Sequence, residues 1–209
     1  MKLFDIDGPL YRFMSTLTNI FILNMCWLLG TLIGLGTTVG VSTVAAFDVG
    51  LRMVKEEEGY IGKQYLKAYK SNFKQGFPLG LITLFALYVL YLDFEIINKT
   101  DASVLLIMAG ILSAAVFITS LLWAYPLTAR YVNKLPAILK NSFRISTRFF
   151  GRTVLVILCL FVEILAFAWN LTTWIIALII GPASLVLTVC LFASPIFAKL
   201  EKAAAEAEE

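Results

Sequence analysis

From Thr153 to Ala198 the chain carries one charged side chain, Glu163. A single bilayer crossing takes roughly 20 apolar residues, so this stretch holds two crossings and a turn. The turn is expected between Asn170 and Pro182, with Trp169 and Trp174 at the outer interface. Pro182 is expected in the first turn of the last helix, where its missing N–H has no intrahelical partner to lose. Other long apolar runs precede this one and leave little polar surface for a water-facing fold. The 209-residue chain is 60% hydrophobic and 15% charged, where a soluble domain carries about 25% charged residues.

Taken in order, the runs predict an all-α membrane protein, a bundle of about six transmembrane helices in a single integral membrane domain over residues 1–209. Residues 1–14 are too short and too polar to span. Leu10, Tyr11, Phe13 and Met14, with the apolar residues before them, suit a segment lying in the membrane surface. No small-residue cleavage site follows, so no removable signal peptide is expected. Ser15 to Leu35 is the first span. Gly30 and Gly34 are expected to let helices approach closely, and Gly36 to Gly40 to make an outer turn. Val41 to Val54, starting near Thr37, is short for a span; if it is re-entrant the count falls to five. Phe77 to Asp93 and Val104 to Leu127 follow, joined by an outer loop, with a kink at Tyr125-Pro126.

Two polar stretches interrupt the apolar runs. Arg52 to Pro78 carries Arg52, Lys55, Lys63, Lys67, Lys70 and Lys74, with Glu56, Glu57 and Glu58 near its start. Tyr65, Leu66, Tyr69 and Phe73 recur among the lysines at helical spacing, which predicts a basic amphipathic helix ending at Gly76 and Pro78. Arg130 to Arg152 carries Arg130, Lys134, Lys140, Arg144, Arg148 and Arg152 and no acid. Cationic flanks resist translocation. Both loops, both termini and the charged tail Lys199 to Glu209 are therefore expected in the cytoplasm, and the protein in the cell membrane. Lys70-Ser71-Asn72-Phe73-Lys74 is echoed by Lys140-Asn141-Ser142-Phe143-Arg144. That echo is compatible with a weak hairpin repeat over 37–95 and 104–176, although any basic juxtamembrane helix looks similar.

Several chemistries lack their residues. The chain has no histidine, the commonest general base and metal ligand. Cys26, Cys159 and Cys190 are an odd set without ligand spacing and are expected as buried thiols. No catalytic set, metal or cofactor is expected, and the chain is not expected to be an enzyme. It lacks the glycine–lysine phosphate loop of a transport ATPase and the Glu-Ala-Ala motif of an ABC permease. No domain is left over to bind nucleic acid. Asp48 and Arg52 are spaced for an ion pair one helical turn apart. Glu163 lies mid-span, where an ionised carboxylate costs ~2.5–3.5 kcal/mol on insertion scales. Asn24, at comparable depth, is its expected hydrogen-bond partner, either as interhelical glue or as part of a polar path.

Gly8 to Met14 (GPLYRFM), Leu23-Asn24, Gly40-Val41-Ser42 and Ala45-Ala46 resemble the YesL-like integral membrane proteins of Gram-positive bacteria. So do Glu57-Glu58-Gly59-Tyr60, Lys67 to Gln75 (KAYKSNFKQ), Tyr125-Pro126 and Leu139-Lys140-Asn141. The resemblance is strongest over residues 8–76. Asn19 stands where the family often has an acid, and Thr31-Leu32-Ile33 lacks the proline of its Ser-Leu-Pro turn. The family has no established reaction. Its association with carbohydrate ABC importers implies an accessory role in sugar uptake.

Two functions are open at this point. The first is a non-catalytic accessory protein that docks the permease subunits of a sugar ABC importer. Its docking residues would be Lys63, Lys67, Tyr69, Lys70, Phe73, Lys74, Lys140, Arg144 and Arg148, which equally suit an anionic lipid surface. The second is a small stand-alone transporter or channel with a polar path near Asn24 and Glu163. A polar cavity at mid-depth would favour the second, and a dry core the first.

Overall fold

The structure, a computed structural model, describes residues 9–57, 59–99 and 103–206. Expectations that fall on residues 1–8, on Glu58, on residues 100–102 of the expected outer loop and on the last three residues lie outside these. Among the described residues there are eight helices and no strand. They are α1 (Pro9–Ile33), α2 (Val39–Met53), α3 (Ile61–Ser71), α4 (Phe73–Lys99), α5 (Val104–Arg130), α6 (Leu135–Arg148), α7 (Phe150–Ala168) and α8 (Leu171–Ala205).

Five of them, α1, α4, α5, α7 and α8, are long and apolar enough to cross a membrane. The second apolar segment is not. α2 has 15 residues, about 22 Å at ~1.5 Å per residue, against a hydrocarbon core of ~30 Å. Its placement gives the same answer. α4 and α5 form an antiparallel hairpin, pinned by a 2.7 Å bond between the Thr83 and Tyr125 hydroxyls and by Ser113 donating to Asp93 at 2.8 Å. α2 begins against the first turns of α4, where a Cβ on Gly40 would lie 2.3 Å from the Gly80 Cα. It ends where Arg52 and Lys55 share a cavity wall with Ala129 and Arg130, at the close of α5. Both ends of α2 thus lie at the base of one hairpin, so it crosses that base instead of returning the chain across a bilayer. The outer turn expected at Gly36 to Gly40 is corrected with it. The turn runs over 34–38, with Gly36 at φ +87°, and it packs beside the start of α4. Gly40 belongs to α2, where it and Gly76 and Gly80 let two backbones touch.

The core is built around α2. Val41, Val44, Ala45, Ala46 and Val49 are wholly buried, together with Leu23 of α1, Leu79 of α4, Trp123 of α5, Val156 of α7 and Ile196 of α8. By contrast, none of the most apolar stretch of α5 is buried, and little of those of α4 and α7 is. Apolar faces left open along long helices are what a bilayer covers. Tight protein packing therefore sits at the base, and lipid-facing helix above it.

Several boundaries differ from the sequence reading. Residues 10–14 are the first turns of α1 rather than a separate surface segment. α3 stops at Ser71 and α4 starts at Phe73, so Gly76 and Pro78 lie inside α4. The long apolar run breaks at Trp169 and Asn170, where Asn170 accepts from the Thr173 N–H at 2.9 Å. The Asn170 N–H in turn donates to the Thr173 hydroxyl at 3.0 Å, a reciprocal cap that starts α8 cleanly. Pro182 consequently lies within α8, not in its first turn. Of the cysteines expected as buried thiols, only Cys190 is buried. Cys26 is half-buried and Cys159 is exposed on the apolar flank of α7.

Candidate functional site

The internal Pro182 explains what Asn24 does. A proline inside a helix donates no hydrogen bond to the carbonyl four residues back and pushes that carbonyl away. Here that carbonyl belongs to Leu178. Asn24, 0% exposed, donates its amide N–H to the Leu178 carbonyl at 2.8 Å. Its amide oxygen accepts from the Ala183 N–H at 3.2 Å. One side chain of α1 therefore satisfies both backbone groups that Pro182 unsettles in α8, in surroundings without water to do so.

The expected Asn24–Glu163 pair is not formed, because both amide groups of Asn24 are engaged by the α8 backbone. Glu163 faces the bundle as expected, but its partner is Thr188 on the neighbouring α8, whose hydroxyl donates to Oε2 at 3.0 Å. Two cavities flank this region. One, of about 320 Å³, is walled by Trp27, Phe47, Leu160, Ile164 and Pro182 among others. The second, of about 360 Å³, has Thr16, Ser184 and Thr188 beside Ile20, Met53 and Leu187. Neither wall contains Asn24 or Glu163, so no described cavity joins the two into one wet path.

The basic helices have a clear division of faces. α3 buries Ile61, Tyr65 and Ala68 and exposes Lys63, Lys67 and Lys70, followed by Lys74 in α4. Lys63 lies 5.1 Å from the centre of the Tyr60 ring. Tyr65 is only 5% exposed, and burial pushes its phenol well above the ordinary range. Tyr69 is half-buried and donates to the Gly30 carbonyl at 3.2 Å. Tyr69 thus holds α3 to α1 and is not a free docking anchor, a correction to the sequence reading. Phe73 remains partly open, stacked on Phe77 at 5.9 Å. α6 buries Ile138, Ser142 and Ile145 and exposes Lys140, Arg144 and Arg148. The Ser142 hydroxyl donates to the Ser120 carbonyl of α5, so α6 folds back along the helix it follows. The two echoing pentapeptides occupy different places: one straddles the α3–α4 junction and the other lies within α6.

A charged cluster at the base escaped the sequence reading. Arg130 reaches Glu201 through two parallel bonds of 3.0 and 3.3 Å, the forked geometry that favours arginine. Tyr131 donates to the same carboxylate at 2.8 Å and packs edge-on against Phe197 at 5.6 Å. Burial and the neighbouring carboxylate push the Tyr131 phenol up to about 12. Asp48 and Arg52 pair at 3.0 Å as their spacing predicts. With Lys55 and Glu57 they line a polar cavity of about 220 Å³ between α2 and the end of α5. No sequence signal could have joined Arg130 to Glu201, which lie on helices separated by α6 and α7.

Residues 20–94 match the model of a protein family described as a protein of unknown function, DUF624. No curated protein and no solved structure matches the chain.

Proposed function

We propose that this is a non-catalytic accessory membrane protein that docks a transporter through its cytoplasmic base, with α6 as the protein-facing surface. The observation that carries the reading is the engagement of Asn24 and Glu163 by α8: the two residues expected to line a path are tied to structure instead. The base, by contrast, presents Lys140, Arg144 and Arg148 outward on a helix whose other face is buried. Phe143 sits among them at 49% exposure, an aromatic within a cationic patch, the composition of many binding surfaces. The YesL-like resemblance makes the permease subunits of a carbohydrate ABC importer the leading partner. The cationic loops favour a cell-membrane protein with the base and the C-terminal end of α8 in the cytoplasm, and five crossings then put the start of α1 on the opposite side, a change from the expectation of both termini inside.

The test is co-purification of the full chain from native membranes in mild detergent, for wild type and for the triple substitution Lys140→Glu, Arg144→Glu and Arg148→Glu. Importer subunits are expected with the wild type and are expected to be lost with the variant at unchanged membrane yield. Importer subunits absent from the wild-type eluate, or retained in full by the variant, would overturn docking through α6.

A further inference from the structure

The bundle leaves a groove open between α1 and α3. It has a volume of about 270 Å³ and is walled by Cys26, Leu29, Ile33 and Leu66, with Tyr65 as its floor. Leu29, Ile33 and Leu66 are 62%, 80% and 54% exposed, so its walls are apolar and uncovered. The Tyr65 hydroxyl is buried beneath the groove, beside the Ser42 hydroxyl and against Gly30, so the ring and not the hydroxyl forms the floor.

The outer side of α3 carries the second half of the observation. Lys63, Lys67, Lys70 and Lys74 follow one another at spacings of a helical turn, and none of them makes an ion pair among the described residues. On the helical wheel Leu66 falls between this stripe and the buried face. α3 is therefore banded: core contact, then exposed apolar surface along the groove, then cations. Apolar surface bordered by lysines is the order a bilayer interface presents, acyl chain first and phosphate next. A peptide or a nucleotide would meet apolar walls with few polar groups to bond. α1, whose Leu29 and Ile33 form one wall, is itself a candidate span, so the groove opens toward lipid.

We propose that this groove holds one acyl chain of an anionic phospholipid, with the phosphate on the Lys63, Lys67 and Lys70 stripe. The site is independent of the docking reading, which rests on α6. A lipid wedged there joins α3 to α1 beyond the single bond from Tyr69 to Gly30.

Native mass spectrometry of the full chain in mild detergent tests this. The protein is offered phosphatidylglycerol and phosphatidylcholine with identical acyl chains, and retained lipid is counted. Wild type is expected to retain phosphatidylglycerol in preference. A lysine near an anionic surface is worth roughly fivefold in affinity, so Lys63→Gln, Lys67→Gln and Lys70→Gln together should weaken retention on the order of a hundredfold. Gly62→Phe fills the groove from a position where a Cβ meets nothing within 4 Å. It should lower retention of both lipids with the lysines intact and the melting temperature unchanged. Lys140→Gln with Arg144→Gln should leave retention at the wild-type level. The proposal fails if wild type holds both lipids equally, or if Gly62→Phe retains phosphatidylglycerol fully. It also fails if inorganic phosphate displaces the lipid completely, which would mark a site for a free anion.

Discussion

Replacing Asn24 by alanine tests whether one amide repairs the helix that Pro182 interrupts. The substitution leaves the Leu178 carbonyl and the Ala183 N–H without their partners at 2.8 and 3.2 Å. A buried orphaned group costs about 1–3 kcal/mol, whereas interhelical polar contacts in membranes average about 0.6 and reach about 1.7 kcal/mol. Asn24 is fully buried and serves two groups at once, so a loss of about 2 kcal/mol is expected. The decisive measurement is the same substitution in a Pro182→Ala background. There residue 182 regains an N–H for the Leu178 carbonyl, the helix closes, and Ala183 returns to Ile179. Asn24→Ala should then cost only about 0.5 kcal/mol, a coupling of about 1.5 kcal/mol between residues far apart in sequence. The small cavity left by alanine is common to both backgrounds and cancels. Reversible unfolding in mixed micelles, followed by circular dichroism for all four proteins, gives the cycle. Additivity within about 0.5 kcal/mol would refute the repair, because it would mean that Asn24 does the same thing whether or not the proline is there.

Four further outcomes are expected. Gly40→Ala should lower stability by about 2 kcal/mol or more, since its Cβ would lie 2.3 Å from the Gly80 Cα and neither backbone can yield. Gly151→Ala, with open space around the new Cβ, should be neutral or stabilising by up to about 1 kcal/mol; thermal unfolding separates the two. Arg130→Ala should cost less than about 1 kcal/mol, because the pair with Glu201 is 36% and 42% exposed, and the loss should shrink in high salt. In a background lacking the native cysteines, single cysteines at Lys70 and Lys140 should be labelled from one side of the membrane and a cysteine at Asn98 from the other. Labelling of Lys70 and Asn98 from the same side would remove α4 from the set of crossings.

The length of the apolar runs made the helical membrane class legible, since backbone groups in hydrocarbon must be bonded within the segment. Local spacing was legible too: Asp48 with Arg52 is a pair one turn apart, and the buried stripes of α3 and α6 have helical period. What spacing cannot state is which side of a stripe faces in. Tyr65 and Tyr69 read equally well as an outward anchor or as packing, and Gly30 beneath them decided it by leaving room for two rings. Pro182 looked like a helix start because a mid-helix proline needs an outside donor, and that donor, Asn24, sits on the first helix. In the sequence α2 is open between a span and a re-entrant segment for a related reason. Its apolar composition suits lipid and protein interior alike, and only the glycines of α4 determine that it meets a backbone instead of a bilayer.

The central position of α2 also bears on how the protein is made. α2 leaves the ribosome early, too short to be held by the membrane alone, and its neighbours arrive one after another. Trp123 comes much later, and Ala193 and Ile196 almost last. Until α8 is in place, one flank of α2 has nothing against it. Synthesis is thus a wait with an unfinished interior, and a chain stopped before residue 190 should be recognised by membrane quality control even though every earlier crossing is intact.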